Sequence, residues 1–302
     1  MKLLATFAFL AGLAAAFPAS AQWGEPFDRS GLQYFNITTP SLDWRACTND
    51  DDRYSTEEIV AGCSAAYEDA TDAETRAHAL WWRAFLYERT GQVELSAADY
   101  QAALAEFDQW VREDEDSVEA QFDRATMLVS MREYDQALAG FMAADRMLGR
   151  QPRVRASIGR IAFLRGDYAT AIAEYDLADR LARRSTTAGF VAHNRCEARA
   201  AAGIELELAR TICNRAVRDT QYHPSVLVSR GFLRFRMDDL PGALEDFERA
   251  LDRDPNNAGA LYGRATIAAR NGQQEAAAAD LARSRELAPR MADYYGNAGM
   301  RP

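Results

Sequence analysis

The chain has 302 residues, 48% of them hydrophobic, with 35 basic against 45 acidic side chains and a formal charge of −10. That length and apolar content suffice for one or two ordinary domains or for one long array. The acidic balance argues against a nucleic-acid partner, which rewards a basic surface, and against adhesion to anionic lipid.

Residues 1–21 read as a secretory signal peptide. Lys2 gives a minimal positive start, Leu3 to Phe17 is an apolar run broken only by Thr6 and Gly12, and Ala19-Ser20-Ala21 is a small-x-small cleavage signal. Gln22 is then the expected mature N-terminus. The run falls short of the ~20 apolar residues that span a bilayer, so no stable membrane insertion is expected after cleavage. Lys2 is the only lysine; without it 34 basic residues, all arginine, face 45 acidic ones, a formal charge of −11. A short leader before an Ala- and Arg-rich chain points to a bacterial periplasmic or secreted protein.

Residues 22–55 are expected to form an extended segment. Gln22 to Arg45 has no helical period and carries Trp23, Phe27, Tyr34, Phe35 and Trp44, rings that should cover protein surface. The run Asn49-Asp50-Asp51-Asp52 lacks the glycine and terminal glutamate of a calcium loop and reads as a solvated turn. A capping helix is expected over 56–70. Ser55 with Glu58 makes a capping box, and Ile59, Cys63, Ala66 and Tyr67 form its apolar face. Four cysteines allow three pairings, and an even count in an exported chain favours disulfides over metal. Cys47 lies just before this helix, so a Cys47–Cys63 bond would staple the extended segment onto it and contribute roughly 3 kcal/mol.

From Ala77 onward a helix-turn-helix pattern recurs six times, over 77–110, 118–151, 152–185, 189–223, 224–257 and 258–291, before a tail at 292–302. An acidic insertion, Val111 to Ser117, separates the first two units. The fifth is the most regular. Pro224 to Asn257 is 34 residues long, with Gly231, Ala243, Phe247, Ala250 and Pro255 in sequence. Small residues on both helices allow close approach, one large residue plugs the gap, and glycine supplies the left-handed turn.

Six units at near-constant phase resemble the tetratricopeptide repeat (TPR) family, across Ala77 to Met291. Arg-Gly or Arg-Ala stands where that family often has Trp-Leu-Gly, and the first two units lack the closing proline. The resemblance implies an all-α fold: an α-solenoid of about six TPR repeats in a right-handed superhelix with an N-terminal capping helix. It also implies a concave groove lined by the first helix of each repeat. Carried over, the groove comprises His78, Trp81, Phe85 and Glu88, then Phe122, Thr126 and Val129, then Ala156, Arg160 and Phe163. His193 and Glu197 follow, then Val228, Phe232 and Phe235, and finally Tyr262, Thr266 and Arg270. Cys196 and Cys213 fall where the helices of the fourth repeat come closest, which suits a disulfide; the alternative is two buried thiols.

No catalytic constellation stands out. His78, His193 and His223 are widely spaced, and no nucleophile elbow, phosphate loop or paired metal ligands accompany them. The expectation is a non-enzymatic scaffold without metal or cofactor, binding a protein or peptide partner in the groove. One alternative is a structural or self-associating element whose N-terminal segment fills a groove. Another is a ligand-binding receptor or enzyme that uses the groove histidines and carboxylates.

Overall fold

Among the described residues two helices lead into six helix pairs, and a short helix follows the last pair. In the computed structural model α1 is Leu42–Thr48 and α2 is Thr56–Asp69. The pairs are α3 (Ala73–Arg89) with α4 (Val93–Glu113), α5 (Val118–Ser130) with α6 (Tyr134–Leu148), and α7 (Pro152–Leu164) with α8 (Tyr168–Leu181). Then come α9 (Ala188–Ala202) with α10 (Leu206–Asp219), α11 (Pro224–Arg236) with α12 (Leu240–Arg253), and α13 (Ala258–Arg270) with α14 (Gln274–Leu287); α15 is Met291–Asn297. The structure describes residues 42–48, 54–149, 151–182, 188–288, 291–297 and 301. The expected leader, most of the aromatic lead-in and the acidic run at 49–52 lie outside the described residues.

The small-and-large pattern sets the helix spacing. Phe247 on α12 is fully buried between two first helices, its own and the next. A Cβ on Gly231 of α11 would come within 2.6 Å of its ring, and one on Gly263 of α13 within 2.3 Å. Only glycine lets both backbones approach that closely. Each repeat also turns through at least one left-handed residue. Gly91, Gly166, Gly203 and Gly272 serve four repeats, as expected, with φ of 75°, 78°, 69° and 76°. The other two depart from expectation, because Arg132 and Asp238 take φ of 64°. The same closing bond explains how they are tolerated. Glu133 N–H donates to Leu128 O at 2.9 Å and Asp239 N–H to Arg234 O at 2.9 Å, as Asp167 N–H does to Ala162 O.

Three boundaries differ from the sequence expectation. The segment expected to be extended through residue 55 contains α1. Its helical spacing puts Trp44 and Cys47 on one face, against Ile59, Cys63 and Leu86. The insertion at 111–117 is partly helical, since α4 continues to Glu113 and Ser117 caps α5 by accepting from the Ala120 amide. The stretch assigned to a C-terminal tail forms α15, because Met291 and Tyr295, one turn apart, find apolar surface on the last repeats. Ser55 and Glu58 form the capping box on α2.

Cys47–Cys63 and Cys196–Cys213 are both disulfides. A third kind of tie was not expected. Arg83, Arg230 and Arg264 each precede the small residue of a first helix and hold, in two-point contact, the aspartate sixteen residues on: Asp99, Asp246 and Asp280. The aspartate immediately precedes the plugging residue of the second helix, so the ion pair and the plug fix the same helix crossing.

Candidate binding groove

The first helices α3, α5, α7, α9, α11 and α13 bring the predicted groove residues into two clusters. The front cluster is on the first repeat. His78 is 1% exposed; its Nδ1 lies 2.8 Å from Glu74 O and its Nε2 3.3 Å from Asp123 Oδ2. Its ring stands edge-on to Phe107 at 5.1 Å, and Trp81 packs on the same Phe107 at 5.9 Å. Further along, Phe85 and Phe122 are half-buried. The guanidiniums of Arg89 and Arg153 sit over their rings at 5.7 Å and 4.6 Å. Glu88 is exposed, accepting from the Tyr100 hydroxyl at 3.0 Å and pairing with Arg132.

The rear cluster joins four repeats. Arg160 donates to Glu197 at 3.2 Å and lies over Phe163, while His193 Nε2 is 2.9 Å from Ser229 Oγ. Phe232, 2% exposed, stacks on Tyr295 of α15 with centroids 3.9 Å apart, and Tyr262 stacks on the same ring from the other repeat at 5.8 Å. Phe235 and Arg270 lie outside this stack. Arg270 covers Phe235 at 5.4 Å and pairs with Asp238. Burial pushes the His193 imidazole below its ordinary value; Glu197 opposes the shift and Arg160 adds to it. The fold therefore disfavours protonation of this imidazole, and the unfolded chain takes up a proton more readily. Its stability contribution is complete above about pH 6.5 and is lost as pH falls below that. Wild-type protein should lose more melting temperature between pH 7.5 and 5.5 than His193→Gln, measured by circular dichroism; parallel profiles would assign the loss elsewhere.

Residues 230–292 match the family model described as tetratricopeptide repeat. That match covers the last two repeats, and the array as a whole has the fold of solved tetratricopeptide repeat proteins. A tetratricopeptide repeat protein from Parabacteroides merdae superimposes with a TM-score of 0.56 at 14% identity, covering 83% of this chain and 94% of the other. The Cut9–Hcn1 hetero-tetramer of APC/C gives 0.60 at 14%, covering 80% and 45%. A Rap protein complexed with competence and sporulation factor gives 0.57 at 15%, covering 88% and 80%. At these identities the likeness is one of fold. No curated protein sequence matches the chain.

The fold explains what the expected groove residues have become. His78, Trp81, Phe163, Glu197, Phe232 and Tyr262 are buried, so they form the floor and its neighbouring contacts rather than an open surface. Phe85, Glu88, Phe122 and Arg270 remain at least partly accessible. His78 and His193 belong to separate clusters. Among the described residues no group of three or more His, Cys, Asp and Glu side chains is placed to hold a metal ion. Tyr295 was missed by sequence reasoning. Its signal, Met291 and Tyr295 at i and i+4, spans only one turn.

Proposed function

We propose that this TPR protein is a non-enzymatic scaffold of the bacterial periplasm that seats a peptide or helix of a partner protein along its concave face. The observation that carries this reading is the front half of the groove. There the partly accessible rings of Phe85 and Phe122 stand beside Arg89, Arg153 and exposed Glu88, a mixture of aromatic anchors and polar rim suited to a peptide. Solved proteins with this fold occur in complexes, as in the Cut9–Hcn1 hetero-tetramer and the Rap protein with competence and sporulation factor. The leader pattern at 1–21 and two disulfides favour an oxidising compartment outside the cytoplasm.

The test is affinity capture from an envelope extract of the source organism, comparing wild type with Phe85→Ala/Phe122→Ala. Both rings are half-buried, so the variant should keep its helix content. At least one partner should be recovered with wild type and lost with the variant. Equal recovery of every partner by a folded variant would count against groove binding.

A further inference from the structure

We propose that Phe232, Tyr262 and Gly259 form a tyrosine-reading slot, that α15 fills it as a built-in ligand, and that the partner displaces α15 by presenting a tyrosine on a short helix. This rests on the scaffold reading and names the site and the chemistry of its ligand.

Three features define the slot. The ring of Tyr295 lies between Phe232 and Tyr262, inclined by only 30° to one and 22° to the other. Three rings in near-parallel order make a flat aromatic cleft rather than a general apolar patch. Gly259 makes room for the hydroxyl: a Cβ there would stand 3.2 Å from Tyr295 Oη and 3.1 Å from Val228 Cγ1. The charges that act on the hydroxyl are Glu197 and Arg160, which pair with each other at 3.2 Å from two other repeats. The slot thus reads ring shape at its walls and leaves room for the hydroxyl at Gly259.

The occupant is suited to displacement. Helix α15 has seven residues, too few to hold a helix alone in water, so the groove folds it. Its buried anchors are Met291 and Tyr295. It follows α14 after only three residues, 288–290. A ligand on so short a tether competes at an effective concentration on the order of millimolar. A partner in trans therefore needs contacts that α15 does not make, and Phe85 and Phe122 at the front of the same concave face offer them.

The probe is a fluorescent synthetic peptide of residues 288–302, followed by polarisation. Full-length Tyr295→Ala, with its slot vacated, should bind the peptide saturably, and wild type much more weakly. A peptide carrying Tyr295→Ala should bind the vacated protein roughly thirtyfold more weakly, as for loss of an aromatic hot spot. Hydrogen exchange on wild type supplies the second measurement: excess peptide should speed exchange of amides 291–297. A folded Tyr295→Ala protein that ignores the peptide, or wild type that binds it equally, overturns the proposal. If Tyr295→Ala does not fold, unchanged exchange in wild type overturns it alone. A wild-type dimer that becomes a monomer on Tyr295→Ala would give the slot to a neighbouring copy's helix and also overturn it. Peptide binding without any groove-dependent capture from extract would keep the slot and sink the scaffold reading; the converse would sink the slot only.

Discussion

Asp246→Ala should lower stability more than removal of any other carboxylate in the three Arg–Asp pairs. Asp246 is 0% exposed and receives Arg230 at 2.6 Å and 2.9 Å, with Arg234 a further 3.1 Å away. Arg230 is itself buried. Removing the carboxylate leaves a largely buried guanidinium without its counter-charge, a loss of roughly 3–5 kcal/mol. The homologous change Asp280→Ala frees Arg264, which is more than a third exposed and can be hydrated in place. Its cost should be about 1 kcal/mol or less. Chemical denaturation of the two variants measures the difference. Arg230→Leu/Asp246→Leu is the diagnostic control. Removing both charges should recover much of the loss, because a buried ion pair is expensive to break but not to replace. Equal effects of Asp246→Ala and Asp280→Ala would mean that burial does not control these pairs.

That contrast shows which parts of the molecule could be read in advance. Glycine, alanine and one bulky residue recur at fixed phase, so the solenoid and its helix order were legible before any coordinates. The pairs between helices were not. Arg230 and Asp246 are sixteen residues apart, a distance no helical or strand period marks, in a chain where arginine and aspartate are common. With the crossing known, the motif becomes visible as Arg before the small residue and Asp before the plug. The left-handed turns at Arg132 and Asp238 were hidden for the opposite reason: the backbone bond that closes the turn is blind to side chains, so the glycine signal can be absent where the turn is present. The expected groove positions fall on first helices, but their burial could not be read from the sequence. Whether Phe232 is open depends on Tyr295, sixty-three positions later on a helix too short to show a period.

Cys196→Ala/Cys213→Ala should cost about 3 kcal/mol and, unlike loss of the other disulfide, should divide the melting transition. The reason lies in the backbone of the fourth repeat. Of the five described non-glycine residues with positive φ, three fall here: Glu205 in its turn, and Gln221 and Tyr222 at its end, where the repeat carries one residue more than its neighbours. Each left-handed residue of this kind costs roughly 1–2 kcal/mol. The strain is opposed by the disulfide between α9 and α10 and by fully buried Arg199, which bonds Asp176 of the preceding repeat and Glu205 of the strained turn. In a stacked array each unit is stabilised chiefly by its neighbours, so a weakened unit in the middle uncouples what lies on either side. Calorimetry should then resolve two transitions, and hydrogen exchange should place the boundary at 188–223. Cys47–Cys63 closes a loop of nearly equal length, 16 against 17 residues of separation, yet it ties down only α1 at one end of the array. Its removal should fray that end and barely move the main transition. A single unshifted transition after loss of Cys196–Cys213 would mean that Arg199 and the neighbouring repeats suffice to hold the fourth repeat, and that its left-handed residues cost less than their backbone angles imply.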